Sequence, residues 1–500
     1  MTSSASTPLL DERDSDHNPA DSQRKTATLS FWDGVALVLG IQIGSGIFVS
    51  PALVARNTGS EAPALLVWTI AGLLAWACAA CYVEMGTRLP VNGGPQEYLA
   101  YCFGDLFGFL TSWGCIFGVK PCSSAILALF IADYICDAAD IASYNTLVAL
   151  ALVAVVTAVN CTGNRLSNVS TKVLLVCKTI GVGFVIVMGF AVLLFPQLSP
   201  SPDVGSPPEL PKAPRSGSYV DALVAAMWAY SGWEVLGLVG GDIRNPSRNF
   251  PRIINTSMVI VLALTLFANV AYFSALSFDD IARSTTIGLT FSQHFLGRAG
   301  SIVYAVAICL STLGTLNVKT YTAGRLTQAA AERGYLPLIM KTVGDSHRKK
   351  DDDTNEADDV VLPTQPNRPI FVSIHSPLKL GDGTIPISGI VFNCLVTSAF
   401  VLAGDVSSLV SLMGIVEYAV VFLTLVGLLY LRLRPKPDTE APDNRPILKV
   451  PFILIPVALF TVTSMVVVST IYHPRAGIGF VVCFVLSGLT HTFAVRLRSR

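Results

Sequence analysis

Two short stretches of this chain carry chemistry in their backbone. One is Gly40–Pro51, GIQIGSGIFVSP; the other is Ala226–Gly241, AMWAYSGWEVLGLVGG. Both sit in apolar surroundings, where each interior glycine costs about 0.5–1 kcal/mol relative to alanine. A peptide group without a partner is expensive in hydrocarbon. Irregular backbone at that depth therefore survives only where it is buried in protein or lines a wet or ligand-filled cavity. In such a break the free N–H groups that start one half-helix act with the local dipole as an anion site. The carbonyls that end the other half-helix suit an ammonium or a sodium ion. Crossing breaks at Gly44-Ser45-Gly46 and Ser231-Gly232 can then hold both charged ends of an α-amino acid. Lacking Cβ, Gly44 and Gly46 let a carboxylate approach the backbone. The competing reading is that small residues here only allow close helix packing; a second break in register weakens it.

The elements that position these stretches are membrane spans. Of the 500 residues, 52% are hydrophobic and 14% charged, against about 25% charged in soluble domains. A helix needs about 20 apolar residues to cross the hydrocarbon, and about twelve segments qualify. They are 30–56, 63–87, 105–134, 144–163, 171–195, 219–241, 253–276, 299–332, 385–403, 406–432, 450–471 and 476–495. The period-two alternation of a membrane β-barrel is missing. The expected fold class is an all-α polytopic membrane protein. The two interrupted spans stand about five spans apart, and paired interruptions of this kind point to a transporter's binding site. An odd number of spans per repeat makes the two repeats inverted.

Charge sets the orientation. Arg24 and Lys25 precede the first span. Alternate loops then hold Arg88; Arg165 and Lys172; Arg244, Arg248 and Arg252; Arg333 to Lys350; and Arg432, Arg434 and Lys436. The opposite loops are poorer in Lys and Arg, so both termini are expected in the cytosol. The apparent glycosylation patterns at Asn160, Asn168 and Asn255 fall at cytosolic ends. Most of the eleven cysteines lie within spans and imply no disulfide framework. Residues 1–28 read as a disordered cytosolic tail, 29–495 as the transmembrane domain, and 344–384 as a charged cytosolic loop containing RKKDDDTNEADD. Residues 199–218 form a proline-rich external loop, and 92–105 a short amphipathic stretch after the second span.

GIQIGSGIFVSP resembles the first span of the L-type amino acid transporters of the amino acid–polyamine–organocation superfamily. The likeness continues through YVEMGTRLPVNGGPQEYLAYCFG (82–104), GVKPCSSAILALFIADYI (118–135) and VTAVNCTGNRLSNVSTKVLLVCK (156–178). It resumes at WAYSGWEVLGLVGGDIRNPSRNFPRII (228–254), LGTLNVKTYTAGRLTQAAAERGYLP (313–337) and NRPILKVPFILIPV (444–457). The resemblance implies two inverted five-helix repeats, about 30–195 and 219–432, with two additional helices at about 450–495. It also implies alternating access around a central amino-acid site. By position, the substrate carboxylate would meet Ser45, Gly46 and Ile47. The ammonium would meet carbonyls near Ile43 and at Trp228, Ala229 and Ser231. Trp228 stands where the family has an aromatic gate. Trp233 is open between packing and a direct role.

Lys178 lies deep in VLLVCKTIGVGF, where an uncompensated charge is costly. The resemblance implies that its ammonium replaces a sodium ion of coupled relatives, and so predicts sodium-independent transport; the competing reading is a snorkelling lysine. Glu234 stands where many neutral-substrate members have Asn, leaving three roles open: binding a basic side chain, carrying a proton, or forming a salt bridge. Lys319 replaces a small polar residue of the relatives and could neutralise an acid such as Glu234. Gln42 replaces an apolar residue beside the break and could bond substrate. Lys120, in place of an arginine, reads as structural, and Glu84 and Asp242 as helix-end salt-bridge formers. Mammalian members bind a glycoprotein subunit through a cysteine after the third span. Cys136 lies near that loop without the family's local pattern, so a heavy-chain subunit is not predicted.

No selectivity-filter repeat suggests a channel. The six histidines show no pair at ligand spacing on one span, so no enzyme, metal site or cofactor is expected. The expected function is a secondary transporter favouring neutral, large or sulfur-containing L-amino acids. Its partners are the amino acid substrate and the lipid bilayer, with no nucleic acid, and the expected location is the plasma membrane. The alternatives are a cationic or broad-range amino acid or polyamine carrier, and a transport-inactive amino acid receptor.

Overall fold

The structure, a computed structural model, describes residues 29–44, 46–91, 93–139, 141–162, 164–195, 218–284, 287–336, 340, 344–345, 384–403, 406–433, 449–472 and 474–498. The side chains of many residues in these ranges, all of 164–178 with Lys178 and also Asp242 among them, lie outside the described set, as do Ser45, the 1–28 tail and most of the 344–384 loop.

Helix α1 (Phe31–Gln42) begins with a capping box. The Asp33 N–H donates to Ser30 Oγ at 3.4 Å, and the Ser30 N–H donates to Asp33 Oδ2 at 3.0 Å. It stops at Ile43, whose φ of −77° and ψ of 71° leave helical space. The chain resumes as α2 (Gly46–Thr58) and continues into α3 (Glu61–Arg88) and the short α4 (Pro95–Phe103). Helix α5 (Asp105–Gly114) passes through a π turn at Cys115–Val119 into α6 (Lys120–Ala139). Pro121 explains the turn: it has no N–H to donate, and its ring crowds the carbonyl four residues back.

The first half ends with α7 (Asn145–Thr162) and α8 (Asn164–Leu194). The second begins with α9 (Ser218–Ala229), a break, and the single turn α10 (Val235–Leu238). Then come α11 (Pro246–Ala275), α12 (Phe278–Arg283) and α13 (Ile287–Glu332), which is two helices meeting at Gly297 with φ 64°. Helices α14 (Ile387–Ala403), α15 (Val406–Leu433), α16 (Leu454–Tyr472) and α17 (Pro474–Arg498) complete the chain. The strands among the described residues are the two-residue pair Gly344–Asp345 and Thr384–Ile385.

Among the described residues, seven stretches are long and apolar enough to cross a membrane. Five shorter apolar helices accompany them: Asn145–Cys161, Thr179–Leu194, Tyr219–Ala229, Ile387–Ala403 and Gly477–Thr490. Together they fall on the segments expected from the sequence. Helix α2 packs on α9, α3 on α11, α6 on α13 and α7 on α14. Each pair joins spans five apart in the chain.

Among the described residues, ion pairs gather at one end of the bundle, and further charges form an interior cluster. At the end where α3 stops, Glu84 is fully buried. It accepts bonds from Arg432 Nε at 2.9 Å and Arg432 Nη2, from Arg88 Nη2 at 2.9 Å, and from the Val450 N–H at 3.0 Å. This clamp ties α3 and α15 to the segment entering α16. Beyond it, Arg333 pairs with Glu97 of α4 and lies 4.0 Å from Asp105, to which the Tyr335 hydroxyl donates. Burial holds the Glu97 carboxyl above the usual carboxylate range against the pull of Arg333.

Candidate functional site

The two interruptions touch. Gln42, the last residue of α1, is 1% exposed, and its Nε2 donates to the Tyr230 carbonyl at 2.9 Å and to Met258 Sδ at 3.3 Å. Tyr230 follows the end of α9, so this carbonyl is one that the break sets free. The other amide atom, Gln42 Oε1, is buried with no hydrogen-bond partner among the described residues. Gly232 adopts φ 113°, which L side chains rarely reach. A Cβ there would come within 2.7 Å of Ile41 Cγ2. Gly46 lies so close to α9 that a Cβ would stand 2.6 Å from Ala229 Cα. Close packing thus requires glycine at both positions, whatever else the backbone does there.

Around this contact the remaining expected residues are gathered. Ile43 and Ile47 are buried, Gly44 lies near Thr315 of α13, and Trp228 and Ala229 are buried at the end of α9. The first N–H groups of α2, at Gly46 and Ile47, have no acceptor within their own helix. The Trp228 carbonyl accepts the Ser231 N–H at 3.1 Å, which leaves it one lone pair. Ser45 and the Lys178 side chain lie outside the described residues.

A cavity with about 590 Å³ of empty space, its mouth included, runs from the second break toward α4. Among its walls are Gln96, Cys115, Lys120, Trp233, Glu234 and Glu417. Of the expected substrate residues Glu234 alone lines it; the Gly46–Ala229 contact does not. The Glu234 carboxylate is turned back on its own break, where Oε2 accepts the Gly232 N–H at 2.8 Å. Trp233 meets Tyr82 edge-on, with ring centroids 4.8 Å apart, and so combines packing with a face on the cavity.

Two lysines differ from their sequence reading. Lys120, read as structural, lines the cavity, because the π turn ends on it. Lys319 donates to Ser123 Oγ; it lies within electrostatic reach of Lys120, Glu234 and Glu417, but forms no ion pair with Glu234 within 4.0 Å. Sequence reasoning missed Glu417, a lone acid in the apolar run 406–432. An ionisable residue inside a span is by default a functional candidate, so the signal was there. Cys136 is 1% exposed. Among the described residues no group of three metal-ligating side chains occurs.

An apolar bundle broken twice at touching points, with a cavity reaching the second break from one end, defines a multi-pass membrane carrier of small solutes. Residues 29–490 match the amino acid permease family, and the chain belongs to that family. It is 27% identical over 496 residues to the b(0,+)-type amino acid transporter 1 of Mus musculus, covering 97% of this chain and 92% of that one. The Homo sapiens protein of the same name is also 27% identical, with 97% and 92% covered. The large neutral amino acids transporter small subunit 2 of Oryctolagus cuniculus is 29% identical over 416 residues, with 81% and 70% covered. The chain is therefore an amino acid transporter and not an enzyme.

Proposed function

We propose that this transporter carries neutral L-amino acids by alternating access, without sodium, gripping the substrate's zwitterion where the two breaks meet. The observation that carries the reading is the Gln42–Tyr230 bond, which seats the free N–H groups of α2 beside the freed carbonyls of α9. In this reading Gly46 and Ile47 N–H groups take the carboxylate, and carbonyls at Ile43, Trp228, Ala229 and Ser231 take the ammonium. Ser45 joins the carboxylate site, and Trp228 covers it. Lys178 stands in for sodium. The pairing of spans five apart supports repeats at about 30–195 and 219–432, with 450–495 appended.

The preference for large or sulfur-containing side chains rests on the resemblance to neutral-substrate relatives. The cationic alternative rests on Glu234, which lines the cavity and, with one bond accepted from the Gly232 N–H, keeps acceptor capacity for a basic side chain. The Lys/Arg distribution supports cytosolic termini; the cavity, at the α4 end, then opens inward, and the proposed location is the plasma membrane.

Uptake of labelled amino acids into proteoliposomes tests the proposal. Saturable leucine, methionine or glutamine flux, equal in sodium and choline buffers, is the expected result. Sodium-dependent flux, or binding without flux, contradicts it.

A further inference from the structure

The cavity beyond the second break holds charges that the proposed zwitterion site does not use. Lys120 and Glu417 face it from α6 and α15, within electrostatic reach of one another. Neither side chain makes a hydrogen bond or an ion pair within 4.0 Å among the described residues, whereas Lys319 is held by Ser123 and Glu234 by the Gly232 N–H. A gap wider than an ion pair therefore separates an ammonium, which only donates, from a carboxylate, which when ionised only accepts.

What fills that gap is constrained by desolvation. An apolar side chain would displace water from two charges and give neither a partner, a costly arrangement in a low-dielectric site. A cationic side chain would meet Glu417 and Glu234 but oppose Lys120 and the nearby Lys319, and an anionic one the reverse. A carboxamide satisfies both at once. Its carbonyl oxygen accepts from an ammonium and its NH₂ donates to a carboxylate, with no change in the net charge of the cavity.

We propose that Lys120 and Glu417 form a bipolar subsite that selects neutral amino acids whose side chain ends in a carboxamide, glutamine and asparagine. The subsite deepens the carrier reading above and rests on it for the position of the α-amino and carboxylate ends. It narrows the expected preference for large neutral side chains to those that bring a donor and an acceptor together.

Competition binding to the purified full-length protein, which needs no flux, tests the subsite directly. Glutamine and methionine are close in length and differ at the terminal group. Wild-type protein is expected to bind glutamine at least about tenfold more tightly than methionine, since a site built for hydrogen bonds rejects an analogue lacking them. The double variant Lys120→Met, Glu417→Leu is expected to lose that ratio or reverse it. Equal binding of the two ligands by wild type overturns the subsite. So does tighter binding of arginine or glutamate than of glutamine, and so does a ratio that survives the double substitution. The wild-type comparison stands even where the variant fails to fold. Glutamine bound with the expected ratio but never carried overturns the carrier reading and leaves the subsite intact; flux of methionine in preference to glutamine does the opposite.

Discussion

The side-chain amide of Gln42 donates to the main-chain carbonyl of Tyr230 across 2.9 Å, although the two residues lie 188 positions apart in the chain. One residue ends the helix before the first break, and the other begins the second. A single side chain thus fixes the spacing of two sets of freed backbone groups, and does so in the bundle's buried interior. Without it the Tyr230 carbonyl would be an orphan acceptor.

Gln42→Leu keeps approximate volume and removes the donor. Leaving a buried carbonyl unpaired costs about 1–3 kcal/mol, so the variant is expected to melt earlier in detergent and to lose most uptake. Scanning fluorimetry and proteoliposome flux measure both. Unchanged melting together with unchanged flux would mean the link carries nothing.

Glycines in the first and sixth spans are expected to differ sharply in tolerance. Gly232 has a positive φ and Ile41 against its missing Cβ, whereas a Cβ on Gly40 would meet nothing within 4 Å. Gly232→Ala should abolish folded expression or uptake. Gly40→Ala should preserve both, with a slight gain from helix propensity of up to about 1 kcal/mol. Gly46→Val should behave like Gly232→Ala, because Ala229 leaves it no space. Fluorescence-detected size exclusion separates misfolding from lost transport; equal behaviour of Gly40→Ala and Gly232→Ala would contradict the packing described.

Much of this architecture was legible in advance. Apolar runs of span length and clustered small residues mark both the helices and their two breaks, since hydrocarbon punishes exposed peptide groups wherever they occur. The glycines themselves were ambiguous: sequence shows that Gly46 is small but not that Ala229 stands against it. The cavity was harder to foresee. Lys120 enters it through a π turn that Pro121 forces, and no periodicity of α5–α6 announces that rotation. Glu417 was overlooked beside more familiar motifs, although a carboxylate in a run such as GIVEYAVVF is itself a signal. Lys319 and Glu234 lie within electrostatic reach of each other, while their direct bonds are local, with Ser123 and with the Gly232 N–H.

The buried clamp at Glu84 should be the most sensitive ionic contact in the chain. Glu84→Ala strands Arg432 and the Val450 N–H, and breaking a buried pair costs about 3–5 kcal/mol. Loss of monodisperse protein is expected, while Asp279→Ala, at an exposed helix start, should leave the elution profile unchanged. A stable, monodisperse Glu84→Ala protein would refute the role given to the clamp.

The Glu97–Arg333 contact predicts a pH dependence. Burial raises the Glu97 carboxyl above its unfolded value of about 4.3, so the folded state holds this proton more tightly. Its contribution is complete below that unfolded value and is lost as pH rises through the folded one. Thermal stability from pH 4 upward to neutrality (roughly the range set by these values) should therefore fall more steeply in wild type than in Glu97→Gln. Parallel curves for the two proteins would rule the contribution out.

The account turns on where a bound zwitterion sits. A cryo-electron microscopy map of the full chain, saturated with whichever of leucine, methionine and glutamine is carried fastest, decides this most directly. The prediction is ligand density at the meeting of the breaks, its carboxylate on the N–H groups of Gly46 and Ile47 and its side chain running toward Lys120 and Glu417. Continuous helical hydrogen bonding through residues 42–46 and 229–235, or a ligand lodged away from both, would contradict it.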